Sequence, residues 1–229
     1  MPLRGGSLWD KDGEEWTETL EKYQMCVQAL SATKKYKSGD QSLSELDHWW
    51  TTVLPQAIRA RNPAPYLTLD ELSNVMAWKL RKGKFRPLMR LIRQNTESQV
   101  QSCSQAAFLK LLPASGTKHK PEVAEAVKEL SKLRGVGPAT ASAVLAAYCP
   151  EECPFMSDEA LEAVNGKREY TLSAYISLRD GLCEKATNLG PSWTAEKVGK
   201  AMWVDAVSKT ISIENTSSYS ARKRRRTVK

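Results

Sequence analysis

The chain has little histidine, an odd number of cysteines, no long apolar run and no clear strand pattern. Each shortage excludes a class. The two histidines, His48 and His119, are far apart and have no partner residues near them, so neither is given a role. Five cysteines (Cys26, Cys103, Cys149, Cys153, Cys183) cannot all pair and are scattered, which suits free thiols in a reducing compartment. Only Cys149 and Cys153 lie close together, without a nearby histidine or further cysteine. No metal and no cofactor are expected. No apolar run reaches the length of a membrane span, and the N-terminus has no signal-peptide apolar core, so no membrane partner is expected. No alternation of apolar and polar residues is long enough for a confident strand.

Charge is plentiful, but unevenly placed. The 229-residue chain carries a net +8. Residues 215–229 hold Arg222, Lys223, Arg224, Arg225, Arg226 and Lys229 and no acid; without these six, 28 basic residues face 26 acidic ones. The folded part is therefore almost neutral, and any anion-binding surface on it must be a local patch. Arg222–Arg226 forms a short basic cluster of the nuclear-import type, so a nuclear location is expected.

What remains reads as a succession of helices. Residues 1–15 are polar and unpatterned and are expected to be disordered, as is the tail 214–229. Between them, 16–213 reads as one helical domain. Apolar residues recur at helical spacing from Trp16 to Ala32. Ser42 with Glu45, and Thr68 with Glu71, are spaced as capping boxes. The first opens a helix carrying Trp49 and Trp50 towards Pro55; the second opens one that should stop at Gly83. Pro113 ends a later helix, Pro121 opens the next, and further helices follow from about Ser157, Tyr170 and Thr194.

The organising stretch is Leu133–Leu145, inside a helical hairpin over 121–148. Gly135 and Gly137 flank Val136 at the reversal, where glycine tolerates φ angles that other residues resist. Pro138 suits the first position of the next helix. The N–H groups of Gly135, Val136 and Gly137, beside a helix N-terminus, are expected to hold an anion such as a backbone phosphate.

The pattern Leu133-x-Gly135-Val136-Gly137-x-x-Thr140-Ala141 resembles the helix-hairpin-helix of the DNA glycosylase superfamily, and the chain looks like a divergent eukaryotic branch of it. An acid, Asp158, follows Thr140 by 18 residues, about where family members carry a catalytic Asp. The resemblance implies an all-α fold, a two-lobed helical bundle of the glycosylase type. It implies a DNA partner and a monofunctional N-glycosylase. Asp158 would stabilise the sugar cation or activate water on a flipped nucleotide. Bifunctional members place a lysine nucleophile directly before that Thr; here Ala139 stands there, which excludes a lyase of that type. The cluster-binding cysteine run of some members is absent.

Other residues could serve such a site. Lys79, Lys82, Lys84 and Arg86 lie in the most basic stretch of the folded part and are phosphate-contact candidates, with Gly135, Val136, Gly137 and Thr140. Trp49, Trp50, Trp78 and Phe155 are candidates for a base pocket. Glu159 is a second acid beside Asp158. Two other readings fit the same residues. One is a monomeric DNA-binding or scaffold protein that keeps this fold without excision. The other is an enzyme that holds a phosphorylated small molecule between the hairpin and the basic stretch.

Overall fold

The computed structural model describes residues 8–112 and 121–226, with side chains to residue 210. Residues 1–7, Pro113, His119 and Thr227–Lys229 lie outside the described residues, as do the side chains of Arg222–Arg226. The described chain is all-helical, with no strand among the described residues.

Among the described residues twelve α-helices follow one another: α1 (Gly13–Glu21), α2 (Tyr23–Ala32), α3 (Leu43–His48), α4 (Leu54–Arg59), α5 (Leu69–Lys82), α6 (Met89–Ile92), α7 (Glu97–Leu109), α8 (Val123–Leu130), α9 (Pro138–Tyr148), α10 (Asp158–Asn165), α11 (Leu172–Leu189) and α12 (Ala195–Arg226). Local chemistry sets most of their ends. Both expected capping boxes form, at Ser42–Glu45 and Thr68–Glu71. Thr96 and Gln99 make a third. Gly83 caps α5, and Gly166, in the left-handed region at φ +72°, ends α10.

Three segments differ from the sequence reading. Trp16–Ala32 is two helices, broken at Lys22. Pro55 does not stop its helix, because a π-helical turn over Trp49–Val53 joins α3 to α4 and puts the proline at the start of the latter. Residues 8–15 are not loose: Leu8 and Trp9 are buried, and the ring of Trp9 meets Trp16 edge-on. Two apolar residues in a polar stretch carry no period, so patterning missed them. At the other end the backbone of α12 continues to Arg226, over most of the expected tail.

Helix α9 is the centre. Every residue from Ala139 to Ala147 is buried, so the helix is apolar all round, as a core helix must be. It packs on α4, α5, α8 and α11. Helices from both chain ends (α1, α2, α10, α11, α12) pack on one another, whereas α5–α8 pack among themselves and on α9. The hairpin of α8 and α9 therefore stands where these two groups meet.

Candidate functional site

The hairpin turn is held from outside. Asn95, buried just past α6, accepts from the Arg134 N–H through Oδ1 (2.8 Å) and donates through Nδ2 to the Arg134 carbonyl (3.0 Å). Its two glycines have different reasons to be glycine. Gly135 lies at φ +77°, and a Cβ there would sit 2.9 Å from Leu91 Cβ and 3.3 Å from the Ile92 backbone nitrogen. Gly137 is extended (φ −111°, ψ −175°), and a Cβ there would meet nothing within 4 Å. Neither left-handed backbone nor packing requires glycine at 137.

The turn's N–H groups divide likewise. Val136 N–H donates inward to the Leu133 carbonyl (3.1 Å), which removes it from the expected anion grip. The N–H groups of Gly135, Gly137 and Ala139 have no hydrogen-bond partner among the described residues. They border an open cavity of about 400 Å³, lined by Gly135–Thr140 together with Lys79, Arg86, Leu88 and Tyr170. Val136 and Thr140 are themselves buried and contribute to its wall.

A second, narrower cavity of about 50 Å³ adjoins it, sharing Lys79, Arg86, Ala139 and Tyr170. Asp158, Glu159, Phe155, Lys82, Lys84 and Trp203 line it further in. The hairpin, the basic stretch and Asp158, spread over 80 positions of sequence, thus open on one continuous cleft.

Asp158 is not the cap of its own helix. Ser157 performs that task, accepting from the Ala160 N–H (3.1 Å). The Asp158 carboxylate instead accepts from the Tyr170 hydroxyl (2.6 Å) and from Arg168 Nη1 (3.4 Å). Two buried groups place the connection that carries it. Ser142 Oγ, on α9, accepts from Met156 N–H (3.0 Å), and Glu196, on α12, accepts from Phe155 N–H (2.7 Å). Burial pushes the Glu196 carboxyl above its ordinary range, against the opposing effect of Lys200.

Two charged groups of the cleft, Lys79 and Glu159, are partly desolvated, whereas Lys84 and Arg86 are exposed. Burial lowers the Lys79 amine from its usual range; Arg86 adds to this and Asp158 opposes it. Burial likewise raises Glu159. The Arg86 guanidinium lies 5.3 Å over the Tyr170 ring. Burial, and then the bond to Asp158, raise the Tyr170 hydroxyl.

Several candidate residues are turned into the core. Lys82 is buried, not on the surface: its amine donates to the Tyr23 hydroxyl (2.6 Å), lies 3.6 Å from Asp47 and faces the Trp203 ring at 3.9 Å. Burial brings it down to about 8, against the pull of Asp47. It touches the inner cavity as part of its floor. Trp50 and Trp78 are buried and stack on each other, with centroids 4.0 Å apart and planes at 11°. Trp78 donates to Asp47 (2.9 Å) and Trp50 to the Ala143 carbonyl (2.9 Å), so both are core residues, and neither lines the cleft. Trp49 packs half-buried on the core, also outside the cleft. Of the four aromatic candidates, only Phe155 borders the inner cavity, its ring tilted 4.9 Å from Trp78. Sequence reasoning missed Asn95, Ser142, Arg168 and Tyr170. Tyr170 lies twelve residues after Asp158 and carries no period or motif that marks it.

Among the described residues no group of three or more histidine, cysteine or acidic side chains is placed to hold a metal, and no helix is long and apolar enough to cross a membrane. No family model, curated protein or solved structure matches the chain.

Proposed function

We propose that the chain is a DNA-binding protein of the helix-hairpin-helix glycosylase kind, acting as a monofunctional N-glycosylase in the nucleus. One observation carries the reading: the unpaired N–H groups of the hairpin, the cations Lys79 and Arg86, and the Asp158 carboxylate border one cleft. The amides and cations hold a backbone phosphate, which sets the position of the strand. The arrangement of two helix groups meeting at the hairpin supports a two-lobed glycosylase-type bundle.

Asp158 is the residue for the chemical step. As the bond from the sugar to the base breaks, positive charge grows on the sugar, and a carboxylate facing it lowers the energy of that state. Tyr170 and Arg168 keep the carboxylate oriented. The base leaves with the bonding electron pair and takes up a proton from solvent, and water then adds at the sugar carbon, its proton passing to Asp158. With Ala139 in place of the hairpin lysine, the cycle ends at the abasic sugar.

The non-excising alternative has a specific support. The inner cavity of about 50 Å³ is small for a nucleobase, and both Asp158 oxygens already accept hydrogen bonds. In that reading the cleft holds backbone alone. Base release from duplexes carrying uracil, alkylated or oxidised bases separates the two. Excision by the wild type and none by Asp158→Asn supports the glycosylase. Tight binding with no release from any substrate supports the non-excising protein. Equal release by both proteins removes Asp158 from the mechanism.

A further inference from the structure

The end of α9 runs into a turn where two thiols meet. Cys149 and Cys153 are the close cysteine pair of the sequence, and the proposed chemistry uses neither. Cys153 N–H donates to the Cys149 carbonyl (2.9 Å). A bond of that span places two Cα atoms about 6 Å apart, as in one helical turn, and a disulfide bridges that distance. The side chains face each other. A hydrogen bond from the Cys153 thiol holds the Cys149 thiol below its ordinary range, against the effect of burial. The same bond, and then burial, push the Cys153 thiol up.

Three helices fix the turn in this shape. Arg59, at the end of α4, donates to the Tyr148 carbonyl (2.8 Å), and Arg179 of α11 donates to the Glu152 carbonyl (3.1 Å). The first two N–H groups of α12, at Ala195 and Glu196, donate to the Glu151 and Pro150 carbonyls (3.3 and 3.1 Å). Exposure then divides the pair: Cys149 is half-buried and Cys153 fully buried. A small oxidant reaches one sulfur and not the other, and both arginines favour the thiolate at the one it reaches. The remaining cysteines lack this arrangement. Cys26 is buried against Ser208 Oγ (3.4 Å), burial raises the Cys103 thiol, and Cys183 donates to the Glu152 carbonyl (3.9 Å).

We propose that Cys149 is a peroxide-reactive thiol and Cys153 its resolving partner, the two closing into a reversible disulfide. The Cys149 sulfur attacks one oxygen of a hydroperoxide and the O–O bond breaks. The other oxygen leaves with the thiol proton, as water or an alcohol, and Cys149 becomes a sulfenic acid. The Cys153 sulfur then attacks the Cys149 sulfur, the S–O bond breaks, and the hydroxyl departs with the Cys153 proton as water. The pair has lost two electrons and two protons, and the peroxide has gained them. A dithiol reverses the bond by exchange. Because the chain runs from Cys153 through Phe155 to Asp158, the disulfide ties the end of α9 to the connection that carries that acid.

The test treats the reduced full chain with equimolar hydrogen peroxide and counts thiols after unfolding, which should fall from five to three. Trypsin leaves Cys149 and Cys153 on one peptide, 135–167, and Cys183 on another, 180–185. Peptide 135–167 should lose two hydrogens, resist alkylation and recover both thiols with dithiothreitol, while Cys103 and Cys183 stay open to alkylation. Cys153→Ser should stop at a sulfenic acid on Cys149 that dimedone traps, and Cys149→Ser should keep its four thiols. The wild-type map decides the matter even where a variant fails to fold. Oxidation of Cys103 ahead of the pair, a link between peptides 135–167 and 180–185, or five thiols surviving excess peroxide would each overturn the assignment.

Discussion

The two hairpin glycines should fail in opposite ways when each is replaced by alanine. At Gly135 the added methyl meets Leu91 Cβ at 2.9 Å and the Ile92 backbone at 3.3 Å, in a backbone at φ +77°. The left-handed conformation costs alanine about 1–2 kcal/mol, and moving α6 away from the turn costs a further 1–3 kcal/mol. Together these destabilise by about 2–5 kcal/mol, or on the order of 4–20 °C in Tm for a chain of this size. At Gly137 the methyl meets nothing within 4 Å, and φ −111° suits any residue. Gly137→Ala should leave stability unchanged or raise it by up to about 1 kcal/mol, by restricting the unfolded chain. Its cost should appear only when a phosphate approaches the bare backbone. Thermal melts of both variants, with fluorescence anisotropy on a labelled duplex over a salt series, read these two costs separately. A Gly137→Ala protein with wild-type affinity and salt slope would refute the hairpin as the phosphate site. A Gly135→Ala protein as stable as wild type would refute the packing argument.

Other outcomes follow from the same geometry. Asn95→Ala removes two hydrogen bonds to the Arg134 backbone and should cost about 1–3 kcal/mol by denaturant unfolding, with DNA affinity reduced as the turn loosens; unchanged stability would contradict the clamp. Tyr170→Phe frees one Asp158 oxygen while keeping the ring. Base release, where the wild type shows it, should fall without loss of binding, and a parallel fall in binding would point to a structural role instead. Lys82 predicts a pH effect. Its folded value near 8 lies below the ordinary 10.5, so between these the unfolded chain holds the proton and the folded chain does not. Stability should therefore rise with pH, by on the order of 1–2 kcal/mol from pH 8 to 9.5. Lys82→Met should lower stability by leaving Asp47 uncompensated and should flatten that rise; an unaltered slope would mean that Lys82 is not its source.

Much of the helical layout was legible from the chain alone because its signals are local. Ser42, Thr68 and Ser157 cap with their own neighbours, Gly83 and Gly166 end helices, and the Leu133–Leu145 pattern marks the hairpin. Those are preferences of a few adjacent dihedral angles and hydrogen bonds, and they act before any tertiary contact forms. Apolar spacing left Trp50 and Trp78 as base-pocket candidates, although both lie in the core. It could not say that they stack on each other beneath α9, since a period reports that a face is covered and not by what. Tertiary structure alone decided which glycine is needed for packing and which stands open, because Leu91 and Ile92 of α6 approach Gly135 from 44 and 43 residues away. It decided that Lys82 turns inward to Asp47 while Lys79 and Arg86 face the cleft, a division that neighbouring cations in a sequence do not reveal. And it brought Tyr170 to Asp158, a contact set by the path of the chain between α10 and α11, which no local preference encodes.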